Sequence, residues 1–339
     1  MKNLWKLLMV AVLALGLAGC KEDAVEVQQA EFDLLTTYMK ANNLDLTNLT
    51  GSFVVAGSGI NVNTTDFSVP DYYVMDIRSK ADYDLGHVKN AVNVTLANVL
   101  EEAAKAGGKK ILVVCYTGQT ASRAVAALKL MGYDAKSLKW GMSAWHADFA
   151  GKWNSNAVDF ASPNWVTTGA APAMPTFTTF PTLTTGQTDP AKILEARVKA
   201  MLLNTAWLET RDNALANPAN YFILNYWPQV SWDAFGHING AYRFMEDLKI
   251  DNLKNIDPAK TCLVYCYTGQ TSSITAAWLE VMGYNTKSLG FGSNRIVYTQ
   301  LKGSDVDKAK TKAWKGEGSG SAVNFGYYDA AGALHAPVK

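Results

Sequence analysis

The hexapeptide Cys115-Tyr-Thr-Gly-Gln-Thr120 decides the organisation of this chain, because the same six letters return at residues 266–271. The offset between the copies is 266 − 115 = 151 residues, and it also carries the Met-Gly-Tyr of residues 131–133 onto residues 282–284. Upstream, the Gly-His of residues 86–87 answers to the Gly-His of residues 236–237. A match that continues on both sides of a hexapeptide indicates an internal repeat. We therefore predict two homologous domains.

The composition fits two globular domains. The chain has 339 residues, 48% hydrophobic and 18% charged, which is enough for two cores of ordinary size and argues against disorder or a coiled coil. The formal net charge is +1, and no run of Lys or Arg stands out. We expect no nucleic-acid partner, because such partners need a basic surface.

The first residues resemble an export signal. Lys2 and Lys6 flank the start of an apolar run over residues 7–19, which is too short to span a bilayer. The run ends in Leu-Ala-Gly-Cys20, which resembles the lipobox of bacterial lipoproteins and implies cleavage before Cys20 and acylation of that cysteine. Lys21 favours the outer membrane, on its periplasmic or surface side, over inner-membrane retention. The alternative is an uncleaved or simply secreted form in which Cys20 carries no lipid.

The remaining cysteines do not suggest a disulfide framework. Three are left once Cys20 is set aside, an odd number. Cys262 and Cys266 lie on one predicted strand, roughly 13 Å apart if extended, which is too far for a bond between them. We interpret Cys262 as a buried strand residue.

Alternating strand and helix patterns predict an α/β fold. β-Branched runs in the first repeat cover residues 72–77, 91–94, 109–114 and 135–138. Helical spacing appears after each hexapeptide, with Gly132 and Gly283 placed to end the helices, and also over residues 25–44 and 191–208. This alternation favours, in each repeat, a parallel β-sheet flanked by helices on both faces.

The chain divides into five parts on these patterns. Residues 1–19 form the lipoprotein signal peptide, 24–153 the first domain, 154–190 a Thr/Pro-rich linker, 191–302 the second domain and 303–339 a C-terminal tail. The linker has no charged residue from 160 to 188, so we expect it to pack along a domain surface. We assign no function to the tail from its sequence.

Each hexapeptide begins with a cysteine at the C-terminal end of a predicted strand, just before a helix. Ligands bind at that edge of open α/β sheets. Backbone N–H groups converging there favour negative charge, so we predict that both thiol pKa values are lowered. Gly118 and Gly269 allow the tight turn, while Thr120 and Thr271 either cap the helix or donate to a ligand.

Together these motifs resemble the rhodanese family of sulfurtransferases, arranged in tandem. The resemblance covers residues 72–149 and 221–297, and its specificity comes from the whole set. The residues that carry it in the first repeat are Asp76 and Arg78, Gly86 and His87, Asn90 and Ala91, the hexapeptide, Gly141, Ala144 and Trp145.

The resemblance implies two rhodanese-like domains with a thiosulfate sulfurtransferase-like activity. Cys115 and Cys266 would be nucleophiles that take a sulfane sulfur from thiosulfate, a persulfide or a polysulfide and pass it, as a persulfide, to a thiophilic acceptor. The implied substrates are small sulfur anions or thiols, with no cofactor beyond the covalent persulfide and no metal. The implied substrate-binding loops are Tyr116, Thr117, Gly118, Gln119, Thr120 and Tyr267, Thr268, Gly269, Gln270, Thr271.

Some residues depart from the pattern or allow a structural role. We expect Asp76 and Arg78 to form an ion pair in the first repeat. The second repeat has Asn225 and Trp227 in their places. Neither loop contains Arg or Lys, so thiosulfate is only the default donor. We interpret the Gly-His elements as turns. Trp140 and Phe291 hold equivalent positions, either packed in a core or walling a pocket.

Two other functions compete with this interpretation. A cysteine phosphatase or arsenate reductase needs Cys-x5-Arg, but Ala121 and Ser272 occupy the arginine positions. The second rival is a membrane-tethered sulfur or selenium carrier, or a non-catalytic interaction lipoprotein with protein partners in the cell envelope. Loss of transfer activity in cysteine variants would separate an enzyme from an interaction protein.

Overall fold

The computed structural model describes residues 22–321 and 323–338. The predicted signal peptide and the proposed lipid site, Cys20, lie outside the described residues. In the part of the chain that is described, no helix combines the length and apolarity needed to cross a bilayer.

Two five-stranded parallel sheets organise the chain. The first has the order β1-β5-β4-β2-β3 and the second the order β10-β8-β11-β12-β7, so β4 and β11 are central. Two antiparallel pairs, β6 with β9 and β13 with β14, complete the described strands. The strands are β1 Val54–Val55, β2 Tyr72–Asp76, β3 Val92–Asn93, β4 Lys110–Val114, β5 Ala135–Leu138, β6 Trp165–Val166, β7 Leu208–Glu209, β8 Tyr221–Asn225, β9 His237–Ile238, β10 Tyr242–Arg243, β11 Thr261–Tyr265, β12 Thr286–Leu289, β13 Tyr327–Tyr328 and β14 Leu334–His335.

Helices cover the sheets and confirm the predicted α/β class, with one parallel sheet in each repeat. The four strands predicted in the first repeat are present, with ends shifted by at most one residue. The α-helices are α1 Glu22–Ala41, α2 Leu46–Thr50, α3 Lys80–Leu85, α4 Val99–Ala103, α5 Gln119–Leu130, α6 Met142–Trp145, α7 Gly151–Asn156, α8 Pro190–Leu203, α9 Arg211–Ala216, α10 Gln229–Phe235, α11 Gln270–Val281 and α12 Tyr298–Lys302.

One predicted helix was too long. The helical spacing over residues 191–208 ends at Leu203, because the chain leaves the helix at Asn204 and Leu208 opens β7, which pairs with β12. The glycines predicted to end α5 and α11 do so. Gly132 and Gly283 have φ of 87° and 98°, values that residues with a Cβ adopt at a cost.

The two domains share one hydrophobic core. Leu35 and Met39 of α1 belong to the same buried cluster as Val198 of α8 and Trp278 of α11. The indole of Trp278 donates to the backbone carbonyl of Leu44 at 3.0 Å. Helices α5 and α11, which follow the two hexapeptides, pack against each other at the centre of this contact.

The linker and the tail both pack on the domains. Trp165 lies in β6, which pairs with β9 of the second domain. The tail returns to the first domain, where the indoles of Trp140 and Trp145 donate to the carbonyls of Ser319 and Gly326, each at 2.8 Å. The domain bounds drawn from the sequence stay a prediction, but the tail contributes to the core of the first domain.

Candidate active site

Both cysteines lie at the carboxyl end of the central strand of a sheet. Cys115 follows β4 and Cys266 follows β11, and each is almost fully buried, with 5% and 3% of its surface exposed. The first turn of a helix begins four residues later, at Gln119 or Gln270. Each sulfur therefore lies where a sheet edge and a helix N-terminus meet.

Backbone amides point at the sulfur of Cys115. The N–H groups of Gly118 and Ala121 donate to its Sγ at 3.1 and 3.4 Å. Gly118 stands before the helix with φ of 83°, a left-handed conformation suited to glycine. The turn thus directs N–H groups inward, as the sequence predicted.

The second loop repeats this arrangement with one additional hydroxyl. The N–H of Ser272 donates to the Sγ of Cys266 at 3.3 Å, and the thiol faces the Ser272 hydroxyl at 3.6 Å. Gly269 has φ of 77°. In the first repeat, Ala121 stands in the place of Ser272, so that hydroxyl is specific to the second site.

The predicted lowering of the thiol pKa is wrong for Cys115. Burial raises the pKa of this thiol above its ordinary value, and the N–H groups of Ala121, Thr117 and Gly118 oppose that increase only in part. The nearby carboxylate of Asp76 raises the pKa further. Desolvation of the charged form therefore outweighs the amide cradle.

The loop side chains have partners of their own. The hydroxyl of Tyr116 donates to Asp82 at 2.8 Å, and the hydroxyl of Tyr267 donates to Asp307 at 3.0 Å. Thr120 is inside α5 and lines the cavity over Cys115, while the position before the helix belongs to Gly118. The capping role considered for Thr120 is therefore wrong, and the same holds for Thr271.

The two glutamines connect the loops to the opposite domains. The side-chain carbonyl of Gln119 accepts the N–H of Phe291 at 2.7 Å, and that of Gln270 accepts the N–H of Trp140 at 3.2 Å. The amide of Gln119 also donates to Thr117 at 3.0 Å. Substrate binding by these side chains stays a prediction, since each already holds the partner domain.

The predicted ion pair between Asp76 and Arg78 is confirmed. Nη2 of Arg78 lies 2.6 Å from the carboxylate, and both side chains are buried. The guanidinium lies over the ring of Tyr116, 5.2 Å from its centre. In the second repeat, Trp227 stacks on Tyr267 with ring centres 4.8 Å apart, so an uncharged contact replaces the charged one.

The cavity over Cys115 has a volume of about 590 Å³. Arg78 and Lys152 bring positive charge to its wall from outside the loop, while Leu208 and Phe291 reach it from the second domain. Phe291 is thus an aromatic wall of the first site, whereas Trp140 is fully buried in a cluster with Trp153. Of the two roles considered for these aromatic residues, Phe291 has the role of a pocket wall and Trp140 that of a core residue.

The cavity over Cys266 is smaller, at about 270 Å³. Its cations are Lys312, from the tail, and Lys139, from the first domain. Phe53 and Val54 of the first domain complete the wall. Both sites therefore lie at the contact between the domains, and each takes residues from the other one.

Reasoning from the sequence missed the two lysines. Lys139 lies 24 residues after Cys115 and 127 before Cys266, so nothing in the spacing links it to the second loop (139 − 115 and 266 − 139). Its counterpart at the 151-residue offset is Gly290, and this asymmetry between the repeats was the available signal. The histidines of the Gly-His elements make strand contacts, where turns were predicted: His237 lies in β9 and His87 forms an antiparallel bridge with Tyr328. The ring of His87 stacks on Tyr83, with centres 3.8 Å apart.

The family follows from a direct comparison. The model of the rhodanese-like domain matches residues 63–148 and 205–295, more than half of the chain, with one match in each domain. The chain belongs to the rhodanese-like family. A search of the curated proteins found no match.

Several solved structures resemble parts of the chain. A rhodanese-related protein from Thermoplasma volcanium is 24% identical over 23% of this chain and 78% of its own, with a TM-score of 0.22. A thiosulfate sulfurtransferase from Pseudomonas aeruginosa is 13% identical over 77% of this chain and 46% of its own, with a TM-score of 0.25. A 3-mercaptopyruvate sulfurtransferase from Leishmania major is 14% identical over 86% and 98%, with a TM-score of 0.27. Scores this low carry no argument about activity.

Proposed function

We propose that this protein is a sulfurtransferase that moves a sulfane sulfur from thiosulfate, a persulfide or a polysulfide to a thiophilic acceptor. A persulfide on Cys115 or Cys266 would carry the sulfur. The observation that supports this most is the position of both sulfurs, each at a strand end and accepting an N–H from the first turn of the following helix, that of Ala121 or Ser272. Such N–H groups favour an anion on the sulfur. Membership of the rhodanese-like family agrees with this chemistry.

The reaction would proceed in two balanced steps. The cysteine thiolate attacks the sulfane sulfur of the donor, the donor's bond to that sulfur breaks, and the leaving group departs with the electron pair. The acceptor then attacks the terminal sulfur of the persulfide, and the cysteine leaves as a thiolate. No external oxidant or reductant is needed. For Cys115, the raised pKa means that the thiol must first lose its proton, against the effect of burial.

The near-complete burial of both sulfurs favours a second function. With 5% and 3% of their surfaces exposed, Cys115 and Cys266 would keep a bound sulfur largely away from bulk water. A sulfur or selenium carrier that delivers its cargo to a protein partner in the cell envelope would profit from such protection. This carrier would load like the enzyme but would turn over slowly with small acceptors.

Mass spectrometry of the intact sites tests the proposal. After incubation with thiosulfate, the peptides holding Cys115 and Cys266 should gain the mass of one sulfur, and cyanide should remove it as thiocyanate. Cys115→Ser and Cys266→Ser should each remove one site, and the double variant should remove both. Cys262→Ala is the matched control, because Cys262 lies within β11 and lines neither cavity. Absence of sulfur on both cysteines with every donor class would refute both functions.

We also propose that the chain is attached to a membrane through lipid on Cys20. Helix α1 starts at Glu22, so a lipid at Cys20 would hold the domains close to the bilayer surface. The N-terminal peptide of protein purified from bacterial membranes should then carry an acylated cysteine. Cys20→Ala should release the protein from the membrane fraction. Membrane association that is unchanged in this variant would contradict the proposal.

A further inference from the structure

Lys139 belongs to the first domain but lies on the wall of the Cys266 cavity in the second. It follows β5 directly, and its backbone N–H donates to the carbonyl of Val55 at 2.8 Å, so its position is fixed by the first sheet. The side chain crosses the domain contact and donates to the carbonyl of Thr311, in the tail, at 3.1 Å. Three parts of the chain thus meet at this lysine.

No carboxylate among the described residues pairs with Lys139. Its ammonium carries three N–H groups, and Thr311 accepts one of them. The other lysine of the cavity, Lys312, is bound to Asp307 at 2.6 Å. Burial, together with the charge of Lys312, lowers the pKa of Lys139 to about 8. Two lysines and one carboxylate, Asp307, therefore line the cavity, and Lys139 is the lysine without a carboxylate partner.

The first site has no equivalent of Lys139. The residue at the 151-residue offset is Gly290, since 139 + 151 = 290. In the Cys115 cavity, Arg78 is already occupied by Asp76, and Lys152 lies over the ring of Tyr116, with its ammonium 4.2 Å from the ring centre. Lys152 also has no carboxylate partner among the described residues, but it is exposed, whereas Lys139 is partly buried, with its ammonium 5.5 Å from the ring centre of Trp140. The two cavities thus differ in the burial of their unpaired lysine as well as in volume.

We propose that Lys139, supported by Lys312, is an anion-binding residue of the Cys266 site, supplied to it by the opposite domain. The ligand class is a small anion in which a transferable sulfur is bonded to an oxidised, negatively charged sulfur, as in thiosulfate and thiosulfonates. The ammonium of Lys139 holds the oxyanion end, and the sulfane sulfur faces Cys266. This inference rests on the proposed function for its substrate, but not for its anion binding.

The remaining wall of the cavity suits such a ligand. Tyr226, Met245 and Phe53 offer mainly apolar surface. Besides the lysines, the polar side chains of the wall are Thr268, Gln270, Thr271 and Asp307, and Asp307 is paired with Lys312. In the transfer step, the thiolate of Cys266 bonds to the sulfane sulfur, the S–S bond of the donor breaks, and sulfite or a sulfinate leaves with the electron pair. The negative charge on the leaving group stays next to Lys139 throughout.

Selective alkylation tests the anion site without any sulfur transfer. Iodoacetate and iodoacetamide both alkylate a thiolate through their CH2 carbon and release iodide, but only iodoacetate is an anion. In the full-length Cys115→Ser protein, the rate of each reaction at Cys266 is measured by peptide mass spectrometry. Lys139→Gln should lower the ratio of the iodoacetate rate to the iodoacetamide rate by about tenfold, the usual size of one charge-assisted contact. Lys139→Arg should keep most of the ratio.

Lys136→Gln is the matched control, since Lys136 lies on the same strand, β5, and does not line the cavity. Its ratio should equal that of the parent protein. A ratio that does not change in Lys139→Gln would overturn the proposal. With Lys139 intact, added sulfate should slow iodoacetate and leave iodoacetamide unaffected, which provides a test even if Lys139→Gln fails to fold. Equal slowing of both reagents, or of neither, would also overturn it.

The same variants separate this inference from the proposed function. If the lysine binds the donor, the thiosulfate concentration that half-saturates Cys266 with sulfur should rise about tenfold in Lys139→Gln. Normal charge selectivity in alkylation with no sulfur on either cysteine would refute the sulfurtransferase and retain the anion site. Loading from thiosulfate that is independent of Lys139 would refute donor binding by the lysine and retain the sulfurtransferase.

Discussion

Gln119 accepts the backbone N–H of Phe291 at 2.7 Å, so the loop that holds Cys115 is bonded to the domain that holds Cys266. The reciprocal bond joins Gln270 to Trp140 at 3.2 Å. Phe291 and Trp140 both have positive φ, 62° and 64°, a conformation that costs free energy for an aromatic residue. The glutamines thus hold two strained positions, one in each domain, and join the loops.

We predict that Gln119→Ala lowers the free energy of unfolding by about 1–3 kcal/mol, because the N–H of Phe291 loses its acceptor. Denaturant unfolding measures this change. Gln300→Ala is the control, since Gln300 is exposed, and its effect should stay within about 0.5 kcal/mol. Equal effects of the two substitutions would show that the bond between the domains contributes nothing.

Replacing Asp76 should affect both stability and Cys115. Asp76→Asn leaves the buried guanidinium of Arg78 unpaired and should cost about 3–5 kcal/mol in unfolding free energy. Asp84→Asn, which breaks the exposed pair with Lys80, should cost less than about 1 kcal/mol. Since the charge of Asp76 helps to raise the thiol pKa of Cys115, alkylation of Cys115 should begin at lower pH in Asp76→Asn. An unchanged pH profile would contradict that electrostatic effect.

Gly118→Ala should disable the first loop through a steric clash. A Cβ at Gly118 would lie 2.4 Å from Oε1 of Gln270, whereas a Cβ at Gly132 would meet no atom within 4 Å. Both glycines have positive φ, 83° and 87°, so both alanine variants carry the backbone cost of about 1 kcal/mol. Persulfide formation on Cys115, measured by mass, should fall in Gly118→Ala and persist in Gly132→Ala. Equal loading of Cys115 in the two variants would exclude a clash between the loops.

The anion selectivity of Cys266 should depend on pH. Because the pKa of Lys139 is lowered to about 8, its charge is present below that pH and is lost above it. The ratio of iodoacetate to iodoacetamide rates, in which the ionisation of the thiol cancels, should therefore decrease as pH rises through about 8. Lys312 and Asp307 face the same cavity and form an ion pair with each other, with Nζ 2.6 Å from the carboxylate. In Lys139→Gln, the ratio should not change with pH. A decrease that remains in this variant would show that another group causes the pH dependence.

The tail should stabilise the first domain. Trp314 is buried and packs against Trp140 and Trp153, with ring centres 5.6 and 5.7 Å apart. Trp314→Ala should cost about 3–5 kcal/mol, the range for removing a large buried side chain. Leu334→Ala, at an exposed position of β14, should change stability by less than about 0.5 kcal/mol. A small effect of Trp314→Ala in thermal or denaturant unfolding would mean that the tail is dispensable.

The strands and turns within each repeat could be predicted because they depend on nearby sequence. Residues 110–114 are apolar and β-branched after Lys110, so they predict a buried strand, and the hexapeptide predicts the turn that follows. The position of both cysteines at sheet edges then follows from the parallel fold. The direction of the pKa shift of Cys115 was harder to predict, since it depends on how completely the domains exclude water from the sulfur.

The contacts between the domains could not be predicted from the sequence. Lys139 reaches Cys266 only because two sheets and the tail meet at one place, and no periodicity records that arrangement. The burial of Trp314 gave no signal in the sequence because it is the one aromatic residue between positions 303 and 324. Its burial depends on the pocket formed by Trp140 and Trp153, far away in sequence.

The shared cluster that joins Leu35 of α1 to Val198 of α8 means that neither repeat is an independent folding unit. Each one buries apolar surface that the other covers. Thermal unfolding should therefore be one cooperative transition. Each domain, if separated from the other by cleavage of the linker, would expose apolar surface and be prone to aggregation.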